Sequence, residues 1–448
     1  MRHLGHDARP NVSQRTDGAV IDGWFGLRYA VAPHRFAVAQ PGAGRLPVQR
    51  LAEVPVFPQN TSRLSSVMGE GHPNPRSEDA YFLNIWAPRN AVDLPVLFFI
   101  HGGAWTSGGG SNEWYDGARL AARGAVVVTV NYRIGPIGHL GPGEDLRLPL
   151  PVEDLLLALR WVRDHVDDFG GDPESITVAG QSAGGWYSHL LSTLPETRGL
   201  FHRAAHLSMG VRSPWTPAKQ RRINELVTGE IAPETMGRVS VEQLLATGQS
   251  SLSRDAAPPR LSYAPSGYLP VSTPELPGHL LTPEEIAGQV HVERVLVRWA
   301  SHETATFFHN SPAHVASDQE TVDRELGSWP VHDLPEQLVS GGRYSGEGSG
   351  LSPYQQVVAA SSWAQFQRFP HELSRELEKR GVVTERHVFT RESNQDHVHA
   401  GHCYDLPYQF GTWGAWGDAP MMQGIDRDTF EYEADILMEQ LMRFAVEP

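Results

Sequence analysis

The sequence predicts an α/β fold built on a mainly parallel sheet, and three observations carry that expectation. Short runs rich in β-branched and aliphatic residues recur along the chain, segments with helical apolar spacing lie between them, and no internal repeat interrupts the alternation. The runs are Val96 to Ile100, Val126 to Val130, Ile176 to Ala179, Val295 to Trp299 and His387 to Phe389. Continuous apolar runs of this length suit strands covered on both faces, as parallel strands are. The clearest helix follows Pro151, with Val152, Leu155, Leu156, Leu159, Val162, Val166 and Phe169 at three- and four-residue steps. Pro151 suits a first turn, Glu153 and Asp154 complement the positive helix start, and Gly170-Gly171-Asp172-Pro173 ends it. A second helix is expected from Ser182, a third near Pro353 to Gln367 and a fourth near Arg427 to Phe444.

The 448 residues carry 37 basic and 52 acidic side chains, a net charge of −15. No block of like charge stands out, so the excess reads as a solvated surface. That balance repels phosphate backbones and argues against nucleic acid as a partner. The lone cysteine, Cys403, excludes an intrachain disulfide and a Cys-rich metal site. Met1 to Pro10 hold no apolar stretch of the kind a signal peptide needs, and no run approaches the ~18 apolar residues of a membrane span. A cytoplasmic protein with no membrane partner is the expectation. The Pro- and Ser-rich stretch from Arg254 to Pro283 and the Gly- and Ser-rich one from Gly341 to Pro353 read as surface excursions on one domain spanning 1–448. Residues 210–290 form a helical or loop excursion expected near the active site, and a monomer or homodimer is expected.

Gly180-Gln181-Ser182-Ala183-Gly184 matches G-x-S-x-G between a strand-like run and a helix-compatible one, the strand–turn–helix setting of a nucleophile elbow. The pattern is short, and a Gly-rich turn with a buried serine is the plain alternative. Its glycines have a reason: the serine sits in strained backbone, and side chains two residues to either side would collide. Upstream, His101-Gly102-Gly103-Ala104-Trp105 follows a strand. Small residues there let backbone N–H groups approach the place where a tetrahedral oxyanion forms.

Other stretches extend the pattern. Gly26-Leu-Arg-Tyr-Ala30, Ser77-Glu78-Asp79 with Leu83-Asn84-Ile85-Trp86, Asn131-Tyr132-Arg133, Phe169-Gly170-Gly171-Asp172-Pro173 and Phe201-His202-Arg203-Ala204 occur in order. In these the chain resembles the type-B carboxylesterases, the cholinesterase-like branch of the α/β hydrolases, densely from about 18 to 210 and sparsely beyond. The resemblance implies an α/β-hydrolase fold and a triad in the order Ser, Glu, His. Ser182 is then the nucleophile. Ser301-His302-Glu303-Thr304, after the strand-like Val295 run, looks like the family's acid loop and makes Glu303 the acid. His402, before Leu406-Pro407-Tyr408-Gln409-Phe410-Gly411, is the base, ahead of His397 and His399. Carried over, the oxyanion donors are the N–H groups of Gly103, Ala104 and Ala183.

The implied chemistry is hydrolysis of a small or medium neutral ester, with no cofactor and no metal. The same machinery turned on an amide or carbamate, and a non-catalytic cholinesterase-like binding module, are the alternatives. Gly102, Trp105 and Trp186 are candidate pocket residues; for the two tryptophans core packing is the competing reading. Gln181 stands where the family usually has Glu, and the resemblance pairs it with a second buried serine, here Ser208. A neutral Gln predicts a lower His402 pKa than in Glu-bearing members. Glu78 and Arg133 read as structural ion-pair members. Asp396, His397 and His399 could be read as a metal cluster, but no clear further ligand of the right type accompanies the His-x-His pair, so a polar loop is preferred.

Overall fold

A computed structural model describes residues 9–446 apart from 72, 142–145 and 277; most of the N-terminal stretch examined for a leader lies outside them. Nine strands form the main sheet: β1 (Val12–Thr16), β2 (Ala19–Arg28), β3 (Phe82–Pro88), β4 (Leu94–Ile100), β5 (Val126–Val130), β6 (Gly171–Gln181), β7 (Arg203–Leu207), β8 (Arg294–Ala300) and β9 (Val383–Phe389). Their order is β1-β2-β3-β5-β4-β6-β7-β8-β9. Pairings from β5 to β9 are all parallel, and those among β1, β2, β3 and β5 are antiparallel.

All five anticipated runs are strands, and the sequence reading missed four more. β2 contains Asp22, Gly23 and Gly26, which lower strand propensity, although Asp22 to Leu27 are buried. β7 is short and carries Arg203 and His206. β9 extends four residues further toward the N-terminus than expected. It is the sheet edge, where Val383 and Val388 stay half exposed among Glu385, Arg386 and His387, so its alternation is blurred.

Seven helices bear on the layout: α1 (Leu150–His165), α2 (Ala183–Leu191), α3 (Pro217–Thr228), α4 (Val241–Asp255), α5 (Pro353–Ser362), α6 (Arg368–Lys379) and α7 (Arg427–Val446). In α1, Val152, Leu155, Leu156, Leu159 and Val162 are fully buried, each stabilising by roughly 1.5–3 kcal/mol relative to exposure. Asp154 does not act as a helix-start charge. It is fully buried and binds Arg133 through both carboxylate oxygens, at 2.6 and 2.8 Å, and the Arg133 backbone N–H as well. Glu78 pairs with Arg35.

The third expected helix is not continuous. After α5 the chain makes a π-helical turn over Trp363–Gln367 and resumes as α6. A residue inserted this way shifts the side-chain register, and such turns cluster at functional sites. Residues 210–290 contain α3 and α4. Gly267 from this stretch lies against the 101–107 loop, so close that a side chain there would strike Thr106. Among the described residues no helix is long and apolar enough to cross a membrane.

β5 and β6 flank β4 on opposite sides, so connections leave that point of the sheet in two directions. Ligand sites in open α/β sheets form outside the carboxyl ends of strands at such a switch point. Four segments emerge there, after β4, β6, β8 and β9.

Candidate active site

The segment after β6 turns abruptly. Ser182 has φ 58° and ψ −116°, a conformation that costs roughly 1–3 kcal/mol in a non-glycine residue. Close packing enforces the turn: a Cβ on Gly180 would lie 2.2 Å from the Gly184 carbonyl oxygen, and one on Gly184 would lie 2.0 Å from that of Ile100. The Ser182 N–H donates to Leu207 O at 2.9 Å, tying the turn to β7. Ser182 is the N-cap of α2, which begins one residue later than expected and places its positive end beside the serine.

The segment after β9 brings His402 to this serine. His402 Nε2 lies 2.8 Å from Ser182 Oγ, and Nδ1 lies 2.5 Å from Glu303 Oε2. Glu303 follows β8 and is fully buried; its Oε1 accepts the Ala300 N–H at 2.8 Å. Backbone bonds fix the pair, since the His402 N–H donates to Glu303 O at 3.1 Å and the Thr306 hydroxyl to His402 O at 3.0 Å. Arg298 and Asp405, both buried, form an ion pair at 2.9 Å that anchors the segment just past His402 to β8. Burial works against the His402 imidazolium, but the adjoining Cys403 sulfur and the Glu303 carboxylate outweigh it, so its pKa is raised.

The loop after β4 faces the same point. Gly103 has φ 119°, and Ala104 and Trp105 also have positive φ, at 52° and 61°. At Gly103 a Cβ would sit 1.9 Å from the Ser107 carbonyl oxygen. His101 is buried and stacked on Tyr132 at 4.4 Å, with Nδ1 at 2.7 Å from Gly102 O. Burial pushes its pKa down to about 4, so it stays neutral and holds the loop without adding charge. Among the described residues the N–H groups of Gly103, Ala104 and Ala183 donate to no protein acceptor. A cavity of about 190 Å³ opens over this floor, bordered by Gly102, Gly103, Ala104, Ser182, His402 and Cys403.

Three expectations need correction. Trp186 does not line this cavity: it is fully buried, and its indole N–H donates to Arg212 O at 2.9 Å. Trp105, 3% exposed, packs edge-on against it at 5.8 Å and is also off the cavity wall. Both rings belong to the hydrophobic core rather than to the cavity lining. Gln181 does not engage Ser208. Its amide donates to Cys403 Sγ at 3.4 Å, and the buried Ser208 hydroxyl has no partner among the described residues. A neutral amide can donate to this soft acceptor on the segment that carries His402, which a carboxylate could not do. Gly102 does border the cavity, and a Cβ there would lie 2.6 Å from Gln181 Oε1.

Phe366, Arg63 and Arg212 escaped the sequence reading, and the contact of Phe307, which follows the acid loop, with His402 was not foreseen. Phe307 and Phe366 pack on the His402 ring at 5.3 and 4.8 Å, the second delivered by the π turn. Arg63 borders the cavity, and buried Arg212 lies behind Phe366. The helical period gave no hint of the π turn, and the arginines sit in segments without a motif. Among the described residues no group of three or more His, Cys, Asp or Glu could hold a metal; His399 instead bonds Glu392 at 2.9 Å and stacks on His302.

The sheet order and the placement of the four segments define a protein of the α/β-hydrolase fold. The chain matches the Carboxylesterase family over residues 10–343 and belongs to it. It is 30% identical over 435 residues to a probable N-octanoylanthranilate hydrolase of Rhodococcus erythropolis, covering 90% of this chain and 84% of that protein. It is 26% identical over 446 residues to the phenmedipham hydrolase of Pseudarthrobacter oxydans, with coverage of 95% and 87%. A Geobacillus stearothermophilus carboxylesterase of known structure superposes with a TM-score of 0.75 at 25% identity, over 97% of this chain and 88% of that one. The class of enzyme is therefore carboxylic ester hydrolase.

Proposed function

We propose that the enzyme cleaves carboxylic esters through an acyl-enzyme on Ser182, with His402 as general base and acid and Glu303 as its partner. The single observation behind this reading is the unbroken line of hydrogen bonds from Ser182 Oγ through His402 to Glu303, at 2.8 and 2.5 Å, on the floor of a cavity. Ser182 Oγ attacks the ester carbonyl carbon as His402 Nε2 takes its proton. The carbonyl π pair moves onto oxygen, and the N–H groups of Gly103, Ala104 and Ala183 receive that charge, each donor contributing ~3 kcal/mol. The tetrahedral centre collapses, the C–O bond to the alcohol breaks, and His402 protonates the departing alkoxide. Water then attacks the acyl carbon with His402 again as base, releasing the acid and restoring the serine. Glu303 keeps the imidazole in the tautomer whose Nε2 accepts a proton, and stabilises the imidazolium.

The test is turnover of p-nitrophenyl acetate and butyrate by wild type and by Ser182→Ala. The expected result is hydrolysis by wild type and a loss on the order of 10⁵-fold or more in the variant. A Ser182→Ala protein retaining more than about a tenth of the rate would overturn the assignment. Matched p-nitroanilides run alongside decide between ester and amide preference.

A further inference from the structure

The protein is acidic overall, at −15, yet apart from the triad the charge gathered at the cavity is mainly positive. Arg63 and Arg76 border the cavity, and Glu70 is the carboxylate there outside the triad among the described residues. Arg76 donates to Gln59 O at 2.7 Å, and Glu70 pairs with neither arginine. Arg63 makes no hydrogen bond and no ion pair among the described residues; its guanidinium rests over the Phe307 ring at 5.5 Å.

Behind it, buried Arg212 donates to three neutral acceptors, Val211 O, Ala264 O and Gln365 Oε1, and faces the rings of Tyr263 and Phe366 at 5.1 and 5.7 Å. No carboxylate balances it among the described residues. Elsewhere the chain follows the opposite rule: Arg133 is matched by Asp154 and Arg298 by Asp405. Buried charge without a counter-ion, as at Arg212, is costly, whereas Arg63 is exposed at the cavity mouth; two cations there add their fields.

We infer that the cavity takes an ester bearing a carboxylate, which seats on the Arg63 guanidinium while Arg212 adds to the field from behind Phe366. This rests on the ester-hydrolase reading and replaces the expectation of a neutral substrate. The Arg63 guanidinium lies over Phe307 and that of Arg212 over Phe366, the same two rings that pack on His402. A small molecule in the cavity that Arg63 and Ser182 both border can carry its carboxylate a few bonds from the scissile carbonyl. Polar groups share the wall near Arg63, among them Gln59, Asn60, Thr61 and Ser65. The Arg63 side chain is exposed to solvent, so an incoming anion can reach its guanidinium, which is a cation at neutral pH.

The experiment measures kcat/KM for two isosteric pairs at low ionic strength: mono-p-nitrophenyl glutarate against p-nitrophenyl 4-carbamoylbutanoate, and 4-acetoxybenzoate against 4-acetoxybenzamide. The pairs place the carboxylate on the acyl and on the alcohol side. In wild type the charged member of at least one pair is favoured about tenfold or more, and about 0.5 M salt lowers that ratio. In Arg63→Ala the ratio collapses toward one, and Arg63→Lys restores part of it. Preference for the neutral member in both pairs, or a ratio that Arg63→Ala leaves in place, overturns the inference. If the neutral esters are turned over and Ser182→Ala abolishes this, the anion site falls alone; if no ester is turned over, both readings fall.

Discussion

Replacing Glu303 by Gln changes one oxygen for an amide nitrogen at a site that tolerates only acceptors. The carboxylate is fully buried and faces two donors, the Ala300 N–H at 2.8 Å and His402 Nδ1 at 2.5 Å. A glutamine offers one acceptor and one donor, so either orientation sets two donors against each other. If the amide oxygen keeps Ala300, the NH₂ faces Nδ1 and forces the proton to Nε2, where the imidazole cannot accept from Ser182. If the amide turns, the Ala300 N–H is left unsatisfied at a cost of about 1–3 kcal/mol. The first orientation is cheaper, and it holds the base in the wrong tautomer. A comparable change in other Ser-His-acid enzymes lowers kcat about 10⁴-fold, equivalent to ~5.4 kcal/mol of barrier. Steady-state kinetics with p-nitrophenyl acetate, alongside a thermal melt to show that Glu303→Gln is folded, measure this. A folded variant within about tenfold of wild type would refute the role given to Glu303.

Three further outcomes follow from the geometry. Because Cys403 and Glu303 raise the His402 pKa above its usual 6.5, the imidazole is protonated and inactive as a base until higher pH; the acid limb of log kcat/KM should therefore lie alkaline of 6.5, and Cys403→Ala should move it toward acid. A limb that stays put in Cys403→Ala contradicts the attribution. Gly103→Ala should cost about 10²–10³ in kcat, since the added methyl would meet Ser107 O at 1.9 Å and displace an oxyanion donor; near-normal kcat would show that the loop donor is dispensable. Arg133→Met leaves Asp154 buried without its partner and should destabilise by about 3–5 kcal/mol, read as a lower denaturation midpoint, whereas an unchanged midpoint would mean that the pair contributes nothing.

The parts of the fold visible in sequence were those where one physical factor dominates. Strands β4, β5, β6 and β8 are buried on both faces, so continuous aliphatic runs betray them. β2 and β7 hide because Asp22, Gly23, Gly26 and His206 are tolerated by sheet neighbours that the local sequence does not contain. The elbow was legible because close packing forces small residues at Gly180 and Gly184. Glu303 and His402 were reached through resemblance, as 99 residues separate them and no spacing rule links them. Trp105 and Trp186 mislead because adjacency to a motif says nothing about which side of the loop a ring occupies. Arg63, Arg212 and Phe366 come together only through the tertiary fold and the π turn, and no local pattern marks them.

A fluorophosphonate transfers phosphorus to an activated serine and leaves a stable mass tag. Stoichiometric labelling of the active enzyme, followed by peptide mapping, asks directly whether the oxygen held 2.8 Å from His402 Nε2 is the nucleophile. One adduct per chain on Ser182, with activity lost in proportion to labelling, is the predicted result. A fully labelled and still active enzyme, or an adduct on any other residue that accounts for the inhibition, would contradict the account.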